Sequence, residues 1–135
     1  MARIIDIEGI GPEYKQRLKE QAGITTTEAL LKACTTPEQR EELAMRIGVS
    51  PKLILEWANL ADLFRIKGVG EEYSDLLEEA GVDTVVELAQ RNAENLYAAL
   101  QETNDEKLLV RRMPALGQVR DWVAQAKNLP RLLTY

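Results

Sequence analysis

Apolar residues recur along most of this chain at spacings of three and four, with polar residues filling the opposite side of a helix. Leu53, Ile54, Trp57, Leu60 and Ala61 follow that spacing, as do Leu116, Val119, Trp122, Val123 and Ala126. Strand-like alternation never persists beyond a few residues, so the expectation is helix throughout. Capping chemistry marks the boundaries. Pro12 suits the first turn of a helix over about 12–22, where its missing N–H costs nothing, and Gly23 stops it. Thr25 with Glu28 has the form of a capping box for a helix to about Cys34. Thr36, Pro37 and Glu38 open the next, ended by Gly48, and Ser50-Pro51 starts a longer one. Further on, a helix over about 71–80 stops at Gly81, Asp83 caps another, Asn92 caps one to about Thr103, and Pro114 opens the last. Residues 101–107 are polar and form the best loop candidate, while residues 4–7 suit either extended chain or a short lead-in.

One pattern occurs twice. Ile7-Glu-Gly-Ile-Gly-Pro-Glu-Tyr14 and Ile66-Lys-Gly-Val-Gly-Glu-Glu-Tyr73 match, and each runs on to a similar exit, Ala22-Gly-Ile and Ala80-Gly-Val. Gly9 and Gly68 are 59 residues apart, whereas Trp57 and Trp122 are 65 apart, so the second copy is longer, most naturally within 101–112. Glycine in these turns allows positive φ and close backbone approach, and the central Ile10 or Val69 plugs the core. Tyr14 and Leu18, like Tyr73 and Leu77, lie along one helix face and read as packing residues; Trp57 and Trp122 read as large core anchors. The expected fold is therefore all-α, with two quasi-repeated helix-hairpin-helix halves, about 1–64 and 65–135, packed as a single globular domain without a flexible linker.

Composition narrows the chemistry. The chain has 135 residues, no histidine and one cysteine. Without histidine the commonest general base and metal ligand are missing, and Cys34 alone can make neither an intrachain disulfide nor a zinc site. Carboxylates are plentiful but occur as caps and charged stretches, and no phosphate-cradling P-loop is present. An enzyme, a cofactor and a bound metal are not expected. No apolar run approaches the roughly 20 residues that cross a bilayer, and no signal-peptide stretch is evident, so a cytoplasmic protein without membrane contact is expected.

The net charge is −5, unevenly spread: residues 101–135 hold 6 Lys+Arg against 4 Asp+Glu, so the rest of the chain is acidic. Lys107, Arg111, Arg112 and Arg120 form a candidate basic patch in that segment, continued by Lys127 and Arg131. Glu38, Arg40, Glu41, Glu42 and Arg46 look like an exposed helix face with internal ion pairs. The closing segment, residues 128–135, is too apolar for a disordered tail and suits packing on the body or docking to a partner.

At Gly9, Ile10, Gly11 and at Gly68, Val69, Gly70 the chain resembles helix-hairpin-helix proteins. Over its whole length it resembles the bacterial tandem-hairpin family called domain of unknown function 4332. The resemblance rests on the I-x-G-I-G-P-x-Y opening, the A-G-I-x-T exit, the W-A-N-x-A-D-L bridge and the closing W-x-x-x-A-K. It implies outward-pointing backbone amides at a helix N-terminus, which can grip a nucleic-acid phosphate without reading bases. Glu71 and Glu72 oppose this at the second turn, where they are expected to satisfy those amides themselves. The first turn is followed by Lys15, Arg17 and Lys19, with Lys15 and Lys19 on one face. Two readings follow. A non-catalytic module for a protein partner or for self-assembly fits the acidic inventory; sequence-independent DNA or RNA backbone binding through Gly9, Gly11, Lys15 and Lys19 fits the resemblance.

Overall fold

A computed structural model describes residues 2–135. Among the described residues, eight α-helices follow a 3₁₀ turn at Ile4–Asp6. In chain order they are α1 (Pro12–Ala22), α2 (Thr27–Ala33), α3 (Pro37–Ile47), α4 (Pro51–Leu63), α5 (Glu71–Glu79), α6 (Val85–Ala89), α7 (Ala93–Lys107) and α8 (Leu116–Asn128). The all-α expectation holds; the described residues contain no strand, only an isolated antiparallel bridge between Arg3 and Thr26. Contacts divide the chain into a first unit, Met1–Asp62 with Leu132–Tyr135, and a second, Leu63–Arg131.

The glycine stops fall where the sequence put them. Gly23 (φ 69°) and Gly48 (φ 76°) end α1 and α3 in the left-handed conformation, releasing their last carbonyls to local partners. Thr36 and Gln39 close a reciprocal capping box on α3, and Ser50 Oγ accepts the Leu53 amide at the start of α4. Four boundaries differ from expectation. Thr26 rather than Thr25 caps α2: its backbone is extended immediately before the first helical residue, Thr27, and its hydroxyl accepts the Ala29 amide at 3.1 Å. Thr84 likewise replaces Asp83 as the cap of α6. Pro114 is buried and precedes α8, whose cap is Ala115 with Gln118 reaching back to its amide. The segment 101–107 is not a loop but the last two turns of α7. Its acidic and amide side chains suit an exposed face, and Leu100 is the last fully buried residue of the helix. At the N-terminal end, residues 4–6 form a helical turn, so the extended alternative is not adopted there.

In the first unit α1 packs on α3, α2 packs on α3, and the 3₁₀ turn packs on α1. Ile4, Ile7, Ile10, Leu18, Leu30, Leu43, Ile47, Ile54 and Trp57 are all buried there. In the second unit α8 lies against α6 and α7, and α5 against α7. Leu63, Ile66, Val69, Leu76, Leu77, Leu88, Leu96, Leu100, Val119 and Trp122 form its core.

Candidate binding surfaces

The first glycine turn is set by Gly9, at φ 92°, and by the Ile10 amide, which donates back to the Ile7 carbonyl at 3.1 Å. That geometry drives Ile10 into the core, 3% exposed, and leaves Gly11 as the N-cap of α1 with Pro12 at its first position. A glycine cap supplies no side-chain acceptor, so the opening amides of α1 meet none from their own cap. Beneath the turn lies Trp57. Its Nε1 sits 3.5 Å from where a Gly9 Cβ would be, buried and without a hydrogen-bond partner. The Tyr14 ring tilts onto the same indole at 5.1 Å.

The second turn has matching local geometry. Gly68 has φ 95°, the Val69 amide donates to Ile66 at 3.1 Å, and Gly70 caps α5. Trp122 Nε1 lies 3.1 Å from the Cβ position of Gly68, and Tyr73 tilts onto Trp122 at 5.3 Å. Here an additional device appears. Gln125 accepts the Lys67 amide at 2.8 Å and donates to the Lys67 carbonyl at 3.0 Å, gripping the residue before the turn on both sides. Glu71 and Glu72 do stand in the first turn of α5, but no side-chain cap hydrogen bond forms. Their effect on the helix end is that of charge alone, which corrects the expectation that they satisfy its amides.

Lys15 and Lys19 are both exposed and one helical turn apart on α1. Arg17 is drawn away from them: it pairs with Glu13 at 2.7 Å, reaches the Ile47 carbonyl at 3.4 Å and lies 5.5 Å over the Tyr14 ring. The candidate basic patch divides. Lys107 is tied to Glu79, and Arg120 holds Glu94 through two nitrogens at 3.0 and 2.8 Å. The Glu94 carboxyl is accordingly lowered and the Lys107 ammonium raised from their ordinary values, each chiefly by that hydrogen bond. Arg111 and Arg112 are exposed in the loop after α7, where Tyr73 Oη donates to the Arg112 carbonyl at 3.1 Å. The loop is further held by Asn104, whose side-chain amide bonds both the N–H and the carbonyl of Val110.

Residues 8–129 match the model of the domain of unknown function DUF4332. The chain belongs to the DUF4332 family. The matched stretch covers both glycine turns, both tryptophans and α1 through α8, and ends at residue 129, ahead of Leu133, Thr134 and Tyr135. No curated protein matches the chain, and no solved structure matches it.

Two further features of this DUF4332 chain could receive small ligands. Asp75, Glu78 and Glu79 bring carboxylate oxygens within 4.8 Å of one another, close enough to share a cation. Lys107 already places a positive charge on Glu79, and Asp75 is raised above its ordinary value by burial and by Glu79, with Lys107 opposing. A shallow cavity of 170 Å³ in the first unit has Ala22, Ile24, Ala33 and Leu43 on its walls and the paired Glu42 and Arg46 at hand. Cys34 offers no nucleophile: burial pushes its thiol up to about 12, with the Arg40 guanidinium opposing. Arg40 and Gln125 are the residues sequence reading missed. Arg40 belongs to the charged face expected on α3 yet is only 5% exposed.

Proposed function

We propose that this DUF4332 chain is a non-catalytic binding or adaptor module of tandem helix-hairpin-helix type, acting in the cytoplasm on a protein partner or on further copies of itself. The matching turn geometry at Gly9 and Gly68, each with its Tyr–Trp pair, supports the duplicated-hairpin reading. The observation that weighs most on the partner is the pairing of cations. Arg17, Lys107 and Arg120 are each engaged by a carboxylate, so three of the basic residues that would follow a phosphate backbone are neutralised within the chain, and the candidate patch is reduced to Arg111 and Arg112. No helix among the described residues is long and apolar enough to cross a membrane.

The second reading, sequence-independent nucleic-acid backbone binding at the first turn, is favoured by one specific contrast. The N-terminus of α1 has exposed Lys15 and Lys19 nearby, whereas that of α5 has Glu71 and Glu72. Fluorescence anisotropy with labelled single- and double-stranded DNA and RNA, at low and then physiological salt, separates the two. The protein-partner reading expects no saturable binding in any of them. Binding that weakens with salt and disappears in Lys15→Glu would overturn it in favour of phosphate gripping at the first turn.

A further inference from the structure

The closing segment does more than cover the core. Residues 129–135 have no regular secondary structure, yet three of them are specifically held by the first unit. Leu133 is 2% exposed. Thr134 donates its amide to the Thr35 carbonyl at 2.9 Å and its hydroxyl to the same oxygen at 3.2 Å, while its own carbonyl accepts from Arg40 at 2.7 Å. Tyr135 lays its ring 5.7 Å from the Arg40 guanidinium and donates its hydroxyl to Asn59 Oδ1 at 3.1 Å.

Arg40 makes this a built receptor. It is buried, and its hydrogen bonds go to backbone carbonyls: Cys34 at 2.9 Å, Thr35 at 3.4 Å and Thr134. Two of these acceptors come from the turn between α2 and α3, and the shortest contact comes from the closing segment. Vacating the site therefore removes an acceptor from a buried guanidinium, which is costly unless another carbonyl takes its place. Recognition works through backbone amide and carbonyl, with one apolar and one hydroxylated aromatic side chain for selectivity, the mode by which extended peptides are read.

We propose that the first unit contains a peptide-docking groove built on Arg40, Thr35 and Asn59, filled here by the chain's own Leu133, Thr134 and Tyr135, which accepts the same segment from a second copy when its own is displaced. The contacts are identical in both cases, so the choice is governed by effective concentration. The groove uses none of the glycine-turn residues and lies outside the question of nucleic-acid binding. Its main contributor from the segment also lies beyond the residues matched to the family.

The test uses the full chain and a fluorescent peptide with the sequence of residues 128–135. Leu133→Asp places a carboxylate at a closed position and should release the segment. The peptide is expected to bind Leu133→Asp about tenfold tighter than the unsubstituted chain, because the tethered segment competes only in the latter. Adding Arg40→Lys, which keeps the charge but loses the planar fork, should weaken that binding. Equal binding to both chains, or none to a Leu133→Asp chain that keeps its helical circular dichroism, overturns the proposal. Should Leu133→Asp lose that signal, Thr134→Pro removes the Thr35 hydrogen bond from an exposed position and is read in the same way. Sedimentation velocity of Leu133→Asp mixed with the unsubstituted chain, at concentrations well beyond about tenfold the peptide's Kd so that the donor's segment can leave its own site, should show a mixed dimer; its absence overturns the second copy as occupant.

Discussion

The two glycines of each turn should respond unequally to the same substitution, one strongly and one hardly at all, and the second unit gives the sharper contrast. At Gly68 the backbone has φ 95°, outside the range L side chains readily adopt, and an added Cβ would meet Trp122 Nε1 at 3.1 Å. Left-handed backbone costs an alanine about 1–2 kcal/mol, and sparsely populated regions cost about 1–3 kcal/mol. The close indole contact adds to this, because Trp122 is 1% exposed and has little room to move. Loss of unfolded-state freedom returns about 0.4–1 kcal/mol. Gly68→Ala should therefore destabilise the second unit by about 2 kcal/mol, or about 10 °C in Tm for a unit of this size. Gly70 has φ −108° and nothing within 4 Å of its Cβ position. There the gain in the unfolded state offsets the weaker N-cap preference of alanine, leaving Gly70→Ala within about 0.5 kcal/mol of the parent. Urea unfolding followed by far-UV circular dichroism measures both. If Gly70→Ala costs as much as Gly68→Ala, or Gly68→Ala costs nothing, the division of labour drawn from φ and from Trp122 is wrong.

Cys34 should resist thiol reagents in the folded chain at pH 8 and react only on unfolding. Because its folded value is raised from 9.0 to about 12, the native state holds a proton the unfolded state has lost, so stability should fall as pH rises across that window. The slope approaches about 1.4 kcal/mol per pH unit, and urea titrations of Cys34→Ala should lack that component. Leu108 ends α7 at φ 52° while 80% exposed, so its side chain gives little in return for a left-handed backbone. Leu108→Gly should raise stability by about 0.5–1 kcal/mol in the same assay, and a loss would show that Leu108 makes a contact that matters.

What the sequence disclosed follows the range of the interactions involved. Gly23, Gly48, Thr36 and Ser50 act on backbone within a few residues, and their roles were readable because cause and effect are adjacent. The apolar positions Ile54, Trp57, Val119 and Trp122 were readable for the same reason, since helical period alone decides which side they occupy. Thr25 and Asp83 were mistaken for caps because either neighbour satisfies the composition rule, and only the course of the chain decides between them. The patch residues Lys107 and Arg120 find carboxylates 28 and 26 residues away, pairings that no local pattern encodes. Arg40 is the extreme case. Surrounded by Glu38, Glu41 and Glu42 it looked solvated, but its acceptor at Thr134 lies 94 residues along the chain.

That last distance has a consequence for how the chain acquires its structure during synthesis. The second unit is built from one continuous stretch, Leu63–Arg131, whereas the first needs Leu132–Tyr135 in addition to Met1–Asp62. Although its helices leave the ribosome first, the first unit is the later of the two to be complete. Through that interval the Arg40 guanidinium lacks its shortest acceptor and the site of Leu133 stands open, while about 70 further residues are added at about 5–20 per second. For those seconds the nascent chain presents a vacant site of defined chemistry, one that a neighbouring nascent chain or a chaperone could reach before its own segment arrives.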